Sequence, residues 1–288
     1  MKLTKLMDTA AQTKYPIAFI TGASSGFGLL TAIGLAKEGY HVIATMRSIS
    51  KKEALLTKAA EAGVLNNIET MQLDVTISSQ VETAVGEVIQ RWGRIDVLVN
   101  NAGYAVMGVV EEIPMEDWRA QFETNFFGMV SVTKAVLPHM RKQGQGKMIN
   151  ISSGAGIIGF SNTGPYSASK FAMEGFSEAL RLELLSFNIP VVLVQPGTYD
   201  TGISAKHVYH SQPHSPYQAM INRFNQFNKK SEENAPDPIH VANTIVKISK
   251  SRRPKLRYTC GRDARMIFLM KKCLPWRLIE WALRKALH

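Results

Sequence analysis

Short apolar stretches rich in β-branched residues alternate along the chain with longer segments whose apolar positions recur at helical spacing. Continuous apolar runs of this length are typical of strands that are buried on both faces. Repeated strand-helix alternation predicts one α/β domain, with a doubly wound parallel sheet flanked by helices on both faces. The predicted strands are Ile17 to Thr21, His41 to Thr45, Glu69 to Leu73, Val97 to Val99, Lys147 to Ile151 and Val191 to Val194.

The alternation lapses between Gly202 and Pro238, a stretch with four prolines and three histidines. Irregular segments of this length often carry binding residues, so we expect a substrate loop or lid over residues 202–238. Tyr217, Met220, Phe224 and Phe227 are spaced for one helical face, which would either cover an apolar substrate or pack onto the domain. The expected organisation is an N-terminal extension (1–15), a dinucleotide-binding and catalytic core (16–201), the lid, and a helical, basic extension of the same domain (239–288).

The positive charge of the chain is confined to its C-terminal end. The formal net charge is +11, and the segment from Lys247 to His288 holds thirteen Lys and Arg against two acids, while the remainder holds twenty-one of each sign. This pattern argues against a nucleic-acid footprint over the whole protein. The segment from Trp276 to His288 is a predicted amphipathic basic helix. It either makes peripheral contact with an anionic membrane or packs on its own domain with a solvated basic face.

The remaining bulk features point to a cytoplasmic protein without a metal. The first sixteen residues lack the apolar core of a signal peptide, and no apolar run is long enough to span a bilayer. Cys260 and Cys273 have no partners at zinc spacing, and His207, His210 and His214 have no companion acid at ligand spacing. We therefore expect no disulfide framework and no metal site.

A glycine-rich segment, TGASSGFG from Thr21 to Gly28, directly follows the first predicted strand and precedes the helical pattern Leu29 to Lys37. Glycines allow a tight turn and a close approach to a pyrophosphate, whose charge meets free amides at a helix N-terminus. Glycine triplets also occur in ordinary strand-to-helix turns. Here the strand before and the helix after favour a dinucleotide site.

The residues after the second strand favour NADP(H) over NAD(H). An acid at this place would accept hydrogen bonds from the adenosine ribose and repel a 2′-phosphate. The chain has Met46 and Arg47 instead. The planar guanidinium of Arg47 matches a phosphate, and the hydroxyl of Ser25 could add a bond from the other side. A solvated loop arginine is the alternative interpretation.

Tyr166 and Lys170 lie four residues apart in a predicted long helix, Pro165 to Leu185, so they share one face. A phenol with its usual pKa of about 10 is a poor base at neutral pH. A neighbouring ammonium and the positive nicotinamide ring both favour the phenolate and so lower that pKa. This spacing is also common in helix surface pairs. The glycine-rich segment upstream favours a role in proton transfer.

Together these segments resemble the short-chain dehydrogenases/reductases, in family order and at family spacing over roughly residues 15 to 201. The resemblance implies a Rossmann-type sheet and rests on TGASSGFG, Asp74-Val75, Asn100-Asn101-Ala102-Gly103, Asn125, Ser153, Tyr166, Lys170 and Pro196-Gly197.

The resemblance also implies a set of cofactor contacts. Asp74 and Val75 would hold the adenine, Asn101 to Gly103 would form the floor beside it, and the loop from Pro196 to Thr201 would contact the nicotinamide carboxamide. Tyr199 departs from the family pattern, since a small aliphatic residue is common there. The expected cofactor-binding residues are Gly22, Ser24, Ser25, Gly26, Phe27, Gly28, Arg47, Asp74, Val75, Asn101, Ala102, Gly103, Tyr166, Lys170, Pro196, Gly197, Thr198 and Thr201.

The expected catalytic residues are Tyr166, Lys170, Ser153 and Asn125. By the resemblance, Tyr166 moves the proton, Lys170 orients the ribose, and Ser153 polarises the substrate oxygen. Counting back from the tyrosine favours Ser153 over Ser152, which would face the other way or cap the loop. Asn125 would distort a helix and hold a water beside the lysine, or act as a buried structural hydrogen-bonder.

The expected function is NADP(H)-dependent hydride transfer between nicotinamide and a carbonyl or alcohol of a hydrophobic small molecule. The stretch from Tyr217 to Tyr258 further resembles the subset of the family that acts on steroids, retinoids and similar compounds. The alternatives are a catalytically silent NADPH-binding sensor or scaffold and an adaptor that binds membranes through the basic tail. The complete Tyr, Lys and Ser set favours an enzyme. We also expect a homo-oligomer, either a dimer or a tetramer.

Overall fold

The computed structural model of the protein describes residues 15–201 and 207–287, with side chains up to residue 284. The expected N-terminal extension, apart from Tyr15, lies outside the described residues, as do residues 202–206 of the expected lid. No helix in the described ranges is both long enough and apolar enough to cross a membrane.

Seven of the nine strands in the described part of the chain form one parallel sheet, in the order β3-β2-β1-β4-β6-β7-β9. The expected doubly wound parallel fold is therefore confirmed. The strands of this sheet are β1 (Ile17–Ile20), β2 (His41–Met46), β3 (Ile68–Gln72), β4 (Val97–Asn100), β6 (Lys147–Ile151), β7 (Val191–Pro196) and β9 (Arg257–Cys260), and β5 (Val106–Met107) pairs with β8 (Val208–Tyr209) in a separate parallel ribbon.

Ten α-helices connect or follow these strands in the described ranges. Two of them end where a glycine takes a left-handed conformation that other residues rarely adopt, Gly93 at φ 71° and Gly144 at φ 70°. The helices are α1 (Gly26–Lys37), α2 (Glu53–Glu61), α3 (Ser78–Trp92), α4 (Met115–Phe122), α5 (Gly128–Gln143), α6 (Gly164–Glu183), α7 (Gln218–Glu233), α8 (Ile239–Lys250), α9 (Arg262–Cys273) and α10 (Trp276–Leu287).

The sheet separates two apolar layers because successive side chains of a strand point to opposite faces. Ile17 and Phe19 of β1 join the layer formed with α3, α5 and α6. Ala18 and Ile20 join the layer formed with α1, α2 and α8. All four side chains are fully buried, so the central strand is covered on both sides. The strand order reverses between β1 and β4, which opens a crevice at their carboxyl ends, where ligands bind in folds of this kind.

The predicted apolar face of the lid helix is wrong in part. In α7 the buried residues are Ile221 and Phe224, whereas Phe227 is 54% exposed. The reason is that each step of three residues rotates the side-chain direction by about 60° around the helix. Phe227 therefore points about 120° away from Ile221 and leaves the buried side of the helix. Tyr217 is half-buried and its hydroxyl donates to Glu111 Oε2 at 2.6 Å, which ties the start of α7 to the body of the protein.

Lys147, the first residue of β6, closes the end of α8. Its buried Nζ donates to the carbonyls of Ile248, Ser249 and Ser251 at 2.9, 2.5 and 2.7 Å. These carbonyls lie at a helix C-terminus, where backbone oxygens lack helical partners and a cation is favourable. Burial lowers the pKa of Lys147 to about 8.

We expect Lys147→Met to lower the free energy of unfolding by roughly 2 kcal/mol, because charge-assisted hydrogen bonds are lost and carbonyl groups are left without a donor. Urea unfolding at pH 7 measures the change, and Lys142→Met at an exposed position is the matched control. Equal stability of the two variants would show that the lysine does not contribute as a cap.

Candidate active site

The expected site residues converge on one edge of the sheet. The segments that carry them follow the carboxyl ends of β1, β2, β3, β4, β6 and β7, and carboxyl ends of parallel strands meet at the same edge. Tyr166 and Lys170 join them from the first turns of α6. The fold thereby brings residues between Gly22 and Thr201, which are far apart in sequence, to one crevice.

The glycine turn after β1 is held in shape by Asn101. The Asn101 side-chain amide donates to the carbonyls of Thr21 and Gly22 at 3.0 and 2.9 Å, and the hydroxyl of Thr21 accepts from the Asn101 and Ala102 amides at 3.0 Å. Asn101 thus stabilises the conformation of the turn. Its expected place in the floor beside the adenine stays a prediction.

Two glycines of the turn have steric reasons to be glycine. A Cβ at Gly22, which has φ +68°, would lie 2.8 Å from Ala102 Cα, and a Cβ at Gly28 would lie 2.5 Å from Asn101 Nδ2. The half-buried residues Ser24, Ser25 and Phe27 complete the turn, and Gly26 begins α1. The first amides of a helix have no partner within the helix and suit an anion. The turn therefore fits the pyrophosphate of a dinucleotide.

Arg47 is exposed directly after β2, with no acid at the neighbouring positions. Burial and, to a smaller extent, the charge of Asp117 raise the pKa of Tyr104, and the positive charge of Arg47 opposes this effect. The guanidinium is therefore close enough to act on Tyr104, which follows the end of β4. An exposed arginine in this position provides donors that a 2′-phosphate requires. The chemistry of the donor set thus fits NADP(H).

The two residues after β3 differ in their surroundings. Asp74 is half-buried, and its Oδ1 accepts from the amide and the hydroxyl of Thr76 at 3.0 and 2.7 Å. Val75 is buried against Gly128, where an added Cβ would lie 2.6 Å from Val75 Cγ2. Both residues border the crevice at the end of β3, and their contact with an adenine stays a prediction.

Ser153, Tyr166 and Lys170 form a contiguous group at the end of β6. The Ser153 hydroxyl lies near enough to the Tyr166 phenol to lower its pKa, and Ser153 Oγ accepts from the Ala155 amide at 3.1 Å. Lys170 Nζ donates to the Ile151 carbonyl at 2.7 Å and lies 5.7 Å from the centre of the Tyr166 ring. A hydroxyl, a phenol and an ammonium are thus held side by side, as proton transfer to a bound oxygen requires.

The choice between the two serines is resolved by their contacts. Ser152 is buried and its hydroxyl donates to Glu174 Oε1 at 2.6 Å, away from the phenol. Ser153 is the residue in contact with Tyr166 and also caps the short helical turn Gly154–Gly156. The alternative that Ser152 caps this loop is therefore wrong.

The expected lowering of the Tyr166 pKa by Lys170 is not found in the protein. Burial raises the pKa of Tyr166, and the Ser153 hydroxyl is the group that opposes this effect. The reason is that Lys170 Nζ points to the Ile151 carbonyl, while burial lowers the pKa of Lys170 itself to about 8. Tyr166 is therefore a protonated phenol at neutral pH, suited to donating a proton.

Asn125 lies in a π-helical turn, Glu123–Phe127, between α4 and α5. The helix distortion expected at this residue is present. Asn125 is fully buried, and its side chain exchanges two hydrogen bonds with the Tyr104 backbone, at 3.1 and 3.0 Å, and donates to Ser169 Oγ at 3.4 Å. These contacts favour a structural role beside Lys170, and water binding stays a prediction.

A buried carboxylate, Glu174, was missed from the sequence. It accepts hydrogen bonds from Ser152, from Gln195 Nε2 at 3.0 Å and from Arg257 Nε at 2.8 Å. Its charge raises the pKa of Lys170 against the larger, lowering effect of burial. Only its position one turn after Lys170 could have indicated this role.

We expect carbonyl reduction to slow as the pH rises through about 8, because Lys170 then loses its charge. In Glu174→Gln the carboxylate that favours the ammonium is removed, so the alkaline decline should move to lower pH. Rate profiles between pH 6 and 10 measure this, with Glu178→Gln, which removes a more exposed partner of Arg257, as the control. A decline at the same pH in all three proteins would contradict the coupling.

The loop after β7 is fixed by Asp263 of α9, a second residue missed from the sequence. The Thr198 amide donates to Asp263 Oδ2 at 2.6 Å, and a Cβ at Gly197 would collide with this carboxylate. Tyr199 is buried and packs edge-on against Phe27, with ring centres 5.6 Å apart. Tyr199, the residue that departs from the family pattern, therefore connects this loop to the glycine turn. Thr201 provides a second contact between the two segments, since its Cβ would lie 3.1 Å from a Cβ added at Gly26.

A cavity of about 360 Å³ lies beneath α7, next to the turn that precedes Tyr166. Met107, Ile221 and Phe224 give it apolar walls, and Asn162 contributes a buried side chain from four positions before the tyrosine. His210 also lines it, and its Nε2 lies 2.8 Å from Asp117 Oδ2, so this histidine is close to an acid distant in sequence. In the described ranges no group of three or more His, Cys, Asp and Glu residues could hold a metal ion.

The parallel sheet, the glycine turn and the Ser153, Tyr166 and Lys170 group define a dinucleotide-dependent oxidoreductase. The chain belongs to the short chain dehydrogenase family, whose model matches residues 16–211.

Three relatives illustrate the range of the family around this chain. The chain is similar to the oxidoreductase YusZ of Bacillus subtilis, 42% identical and covering 94% of this chain and 98% of the relative. It is 40% identical to the 3-ketodihydrosphingosine reductase of Bacteroides thetaiotaomicron, covering 93% and 96%. It is 44% identical to human retinol dehydrogenase 8, covering 65% and 60%.

Solved structures share the fold over nearly the whole chain. A short-chain dehydrogenase from Streptomyces avermitilis is 32% identical, with a TM-score of 0.81 and coverage of 94% of this chain and 97% of that one. An actinorhodin polyketide ketoreductase with NADPH is 31% identical, with a TM-score of 0.74 and coverage of 86% and 95%.

Proposed function

We propose that this protein is an NADP(H)-dependent reductase for the carbonyl group of a hydrophobic small molecule, and that it oxidises the corresponding alcohol in reverse. The observation that carries the proposal is the grouping of Tyr166 with the buried Lys170, whose Nζ lies 5.7 Å from the centre of the Tyr166 ring, and with Ser153 at the end of β6. When bound, the nicotinamide supplies or accepts the hydride.

Ser153 and Tyr166 act on the substrate oxygen. The Ser153 hydroxyl donates a hydrogen bond to the carbonyl oxygen and stabilises the negative charge that develops there. Tyr166 then gives its proton to the same oxygen. Since burial raises the pKa of this phenol, it carries that proton at neutral pH, which favours the reducing direction.

Lys170 orients the nicotinamide ribose through its ammonium group. The Ile151 carbonyl, which accepts from Nζ at 2.7 Å, restrains the ammonium. Arg47 would hold the 2′-phosphate of the cofactor, and the turn that begins α1 would hold its pyrophosphate. The NADPH named with the related polyketide ketoreductase supports this choice of cofactor.

A substrate with an apolar part is supported by the cavity beneath α7, where Met107, Ile221 and Phe224 provide apolar walls. Asn225, Asn228, Lys229 and Glu232 of the same helix also line this cavity and could bind polar groups of the substrate. The named activities of the relatives, reduction of 3-ketodihydrosphingosine and oxidation of retinol, both concern molecules with long apolar parts. We propose the same broad class, a ketone or alcohol on a long apolar chain or ring system, for this protein.

The test is NADPH oxidation with a panel of ketones of graded size and polarity, scored by kcat/KM. We expect turnover to rise with apolar surface until the substrate fills the cavity. NADPH binding without turnover of any member of the panel would favour the catalytically silent sensor instead. Turnover restricted to small polar ketones would contradict the substrate class.

We further propose a homo-oligomer that forms through α6. Phe171, Leu182 and Leu185 lie on one side of this helix and the turn after it, and they are 43%, 69% and 72% exposed. Exposed large apolar residues clustered in this way mark contact surfaces. Light scattering on wild type and on Leu182→Glu/Leu185→Glu tests this: the wild type should have the mass of a dimer or tetramer and the variant that of a monomer, whereas equal masses would contradict this interface.

A further inference from the structure

Helices α9 and α10 expose an unusual density of large apolar side chains. Met266, Leu269, Trp276, Leu278 and Trp281 are 59%, 57%, 52%, 51% and 64% exposed. Every residue from 271 to 278, where the two helices join, is exposed. We call the exposed residues from 265 to 284 the C-terminal face. Single exposed apolar residues are ordinary, but a contiguous group marks a contact surface.

The same face is strongly basic. Between Arg262 and Arg284 the chain has six Lys and Arg, all exposed, against Asp263 and Glu280. Lys271 Nζ lies 5.3 Å from the centre of the Trp276 ring, so a cation and an aromatic side chain share one position on the surface. Asp263 is already used by the Thr198 amide, which leaves Glu280 as the exposed acid of this segment.

The C-terminal face is anchored to the body of the protein. Ala264 of α9 and Ile279 of α10 are 0% and 1% exposed, and these two residues hold the helices while their neighbours face outward. The expected packing of the basic helix on its own domain is present at Ile279, while Trp276, Leu278 and Trp281 of the same helix are exposed. Contact with a membrane stays a prediction.

The position of α9 places this face beside the catalytic crevice. Asp263 at its first turn holds the nicotinamide-side loop at Thr198, and Ile267 Cδ1 lies 3.7 Å from the Cβ that Gly154 lacks, next to Ser153. α10 also contacts α7, the helix that covers the cavity. A surface that docks through this face would lie next to the entrance used by an apolar substrate.

The chemistry of the face selects among the possible occupants. A second copy of this surface would bring two sets of positive charges together, and a nucleic acid would leave Leu269, Leu278 and the tryptophans without apolar partners. An anionic phospholipid surface offers both negative headgroups and an apolar interior, and aromatic residues favour its interface.

We propose that the C-terminal face docks the enzyme on anionic phospholipid membranes, so that its cavity receives apolar substrate from the bilayer. Basic side chains hold the headgroups, and Trp276 and Trp281 enter the interface. The docking itself stands independently of the reductase function proposed above, whereas the delivery of substrate rests on it.

Sedimentation of the full chain with vesicles tests the docking. The vesicles contain either phosphatidylcholine alone or an equal mixture with phosphatidylglycerol. We expect binding to the mixed vesicles, a blue shift of tryptophan emission, and little binding to phosphatidylcholine alone. Equal binding to both, or no binding to either, would overturn the proposal.

Matched variants distinguish binding through the C-terminal face from binding due to net charge or to exposed apolar residues elsewhere. Lys271→Gln/Lys272→Gln should weaken binding to the mixed vesicles by roughly 30-fold, since each lysine near such a surface contributes about fivefold. Lys51→Gln/Lys58→Gln removes the same charge at exposed positions of another region and should leave binding nearly unchanged. Equal losses in the two pairs would show that net charge, and not the C-terminal face, determines binding.

The aromatic contribution is tested with Trp276→Ala/Trp281→Ala, against Leu65→Ala/Ile77→Ala at other exposed apolar positions. The tryptophan pair should lose both the binding and the emission shift. NADPH oxidation with a water-soluble ketone should stay at the wild-type rate in all variants, which shows that they are folded. Vesicle binding that persists in the tryptophan variant would overturn the proposal, while failure of ketone reduction would affect only the proposed function.

Discussion

Replacement of Tyr166 by Phe should lower kcat for ketone reduction by about 10³-fold, the contribution expected of a positioned general acid. The substitution removes only the hydroxyl that lies near Ser153 and leaves the rest of the side chain unchanged in shape. The phenyl ring can remain beside Lys170, whose Nζ lies 5.7 Å from the ring centre and is held by the Ile151 carbonyl. The orientation of the lysine should therefore persist.

The control for this variant is the affinity for NADPH, measured by fluorescence titration. It should be within about threefold of the wild type, since only one hydroxyl group is removed. A second comparison uses Tyr104→Phe, which removes a half-buried phenol from the same edge of the sheet without touching Ser153. Undiminished kcat in Tyr166→Phe would contradict the assigned mechanism.

Replacement of Arg47 by Ala should weaken NADPH binding by roughly 10- to 100-fold, the range expected when charge-assisted hydrogen bonds to a phosphate are lost. NADH affinity should change little, because NADH lacks the 2′-phosphate that the guanidinium would hold. The preference for NADPH over NADH should therefore collapse. Isothermal titration with both cofactors measures it directly.

Two further variants refine the test of Arg47. Arg47→Lys keeps the charge but removes the planar fork, so it should fall between the wild type and Arg47→Ala. Lys51→Ala removes an exposed cation nearby in sequence and should leave the preference unchanged. An unchanged preference in Arg47→Ala would show that the arginine is only a solvated loop charge.

The five inner strands of the sheet, β2, β1, β4, β6 and β7, could be predicted because burial on both faces leaves an unbroken apolar run in the sequence. The edge strand β3 could also be predicted, although most of its residues are only half-buried. β9 could not, since Arg257–Cys260 lies at the edge of the sheet, is mostly half-buried and begins with an arginine paired to Glu174 and Glu178. β5 and β8 are two residues each, too short to leave a periodic pattern. The pattern thus reports burial better than it reports hydrogen bonding between strands.

The parts of the site that are local in sequence were also predictable. The glycine turn follows its strand directly, and Tyr166 and Lys170 share a helix. Glu174 and Asp263 were missed because their partners Ser152, Gln195 and Thr198 are 21 to 65 residues away, joined only by the fold. The effect of burial on the Tyr166 pKa was missed for the same reason, since burial depends on packing from several segments.

The most direct measurement of the central claim is transfer of label from NADPH to product. NADPH that carries deuterium at both hydrogens of the nicotinamide C4 is incubated with the protein and a long-chain ketone, and the alcohol is analysed by mass spectrometry. We predict one deuterium on the carbinol carbon with the wild type and almost none with Tyr166→Phe under the same conditions. Alcohol that forms without deuterium, or no alcohol across the ketone panel, would contradict hydride transfer at this site.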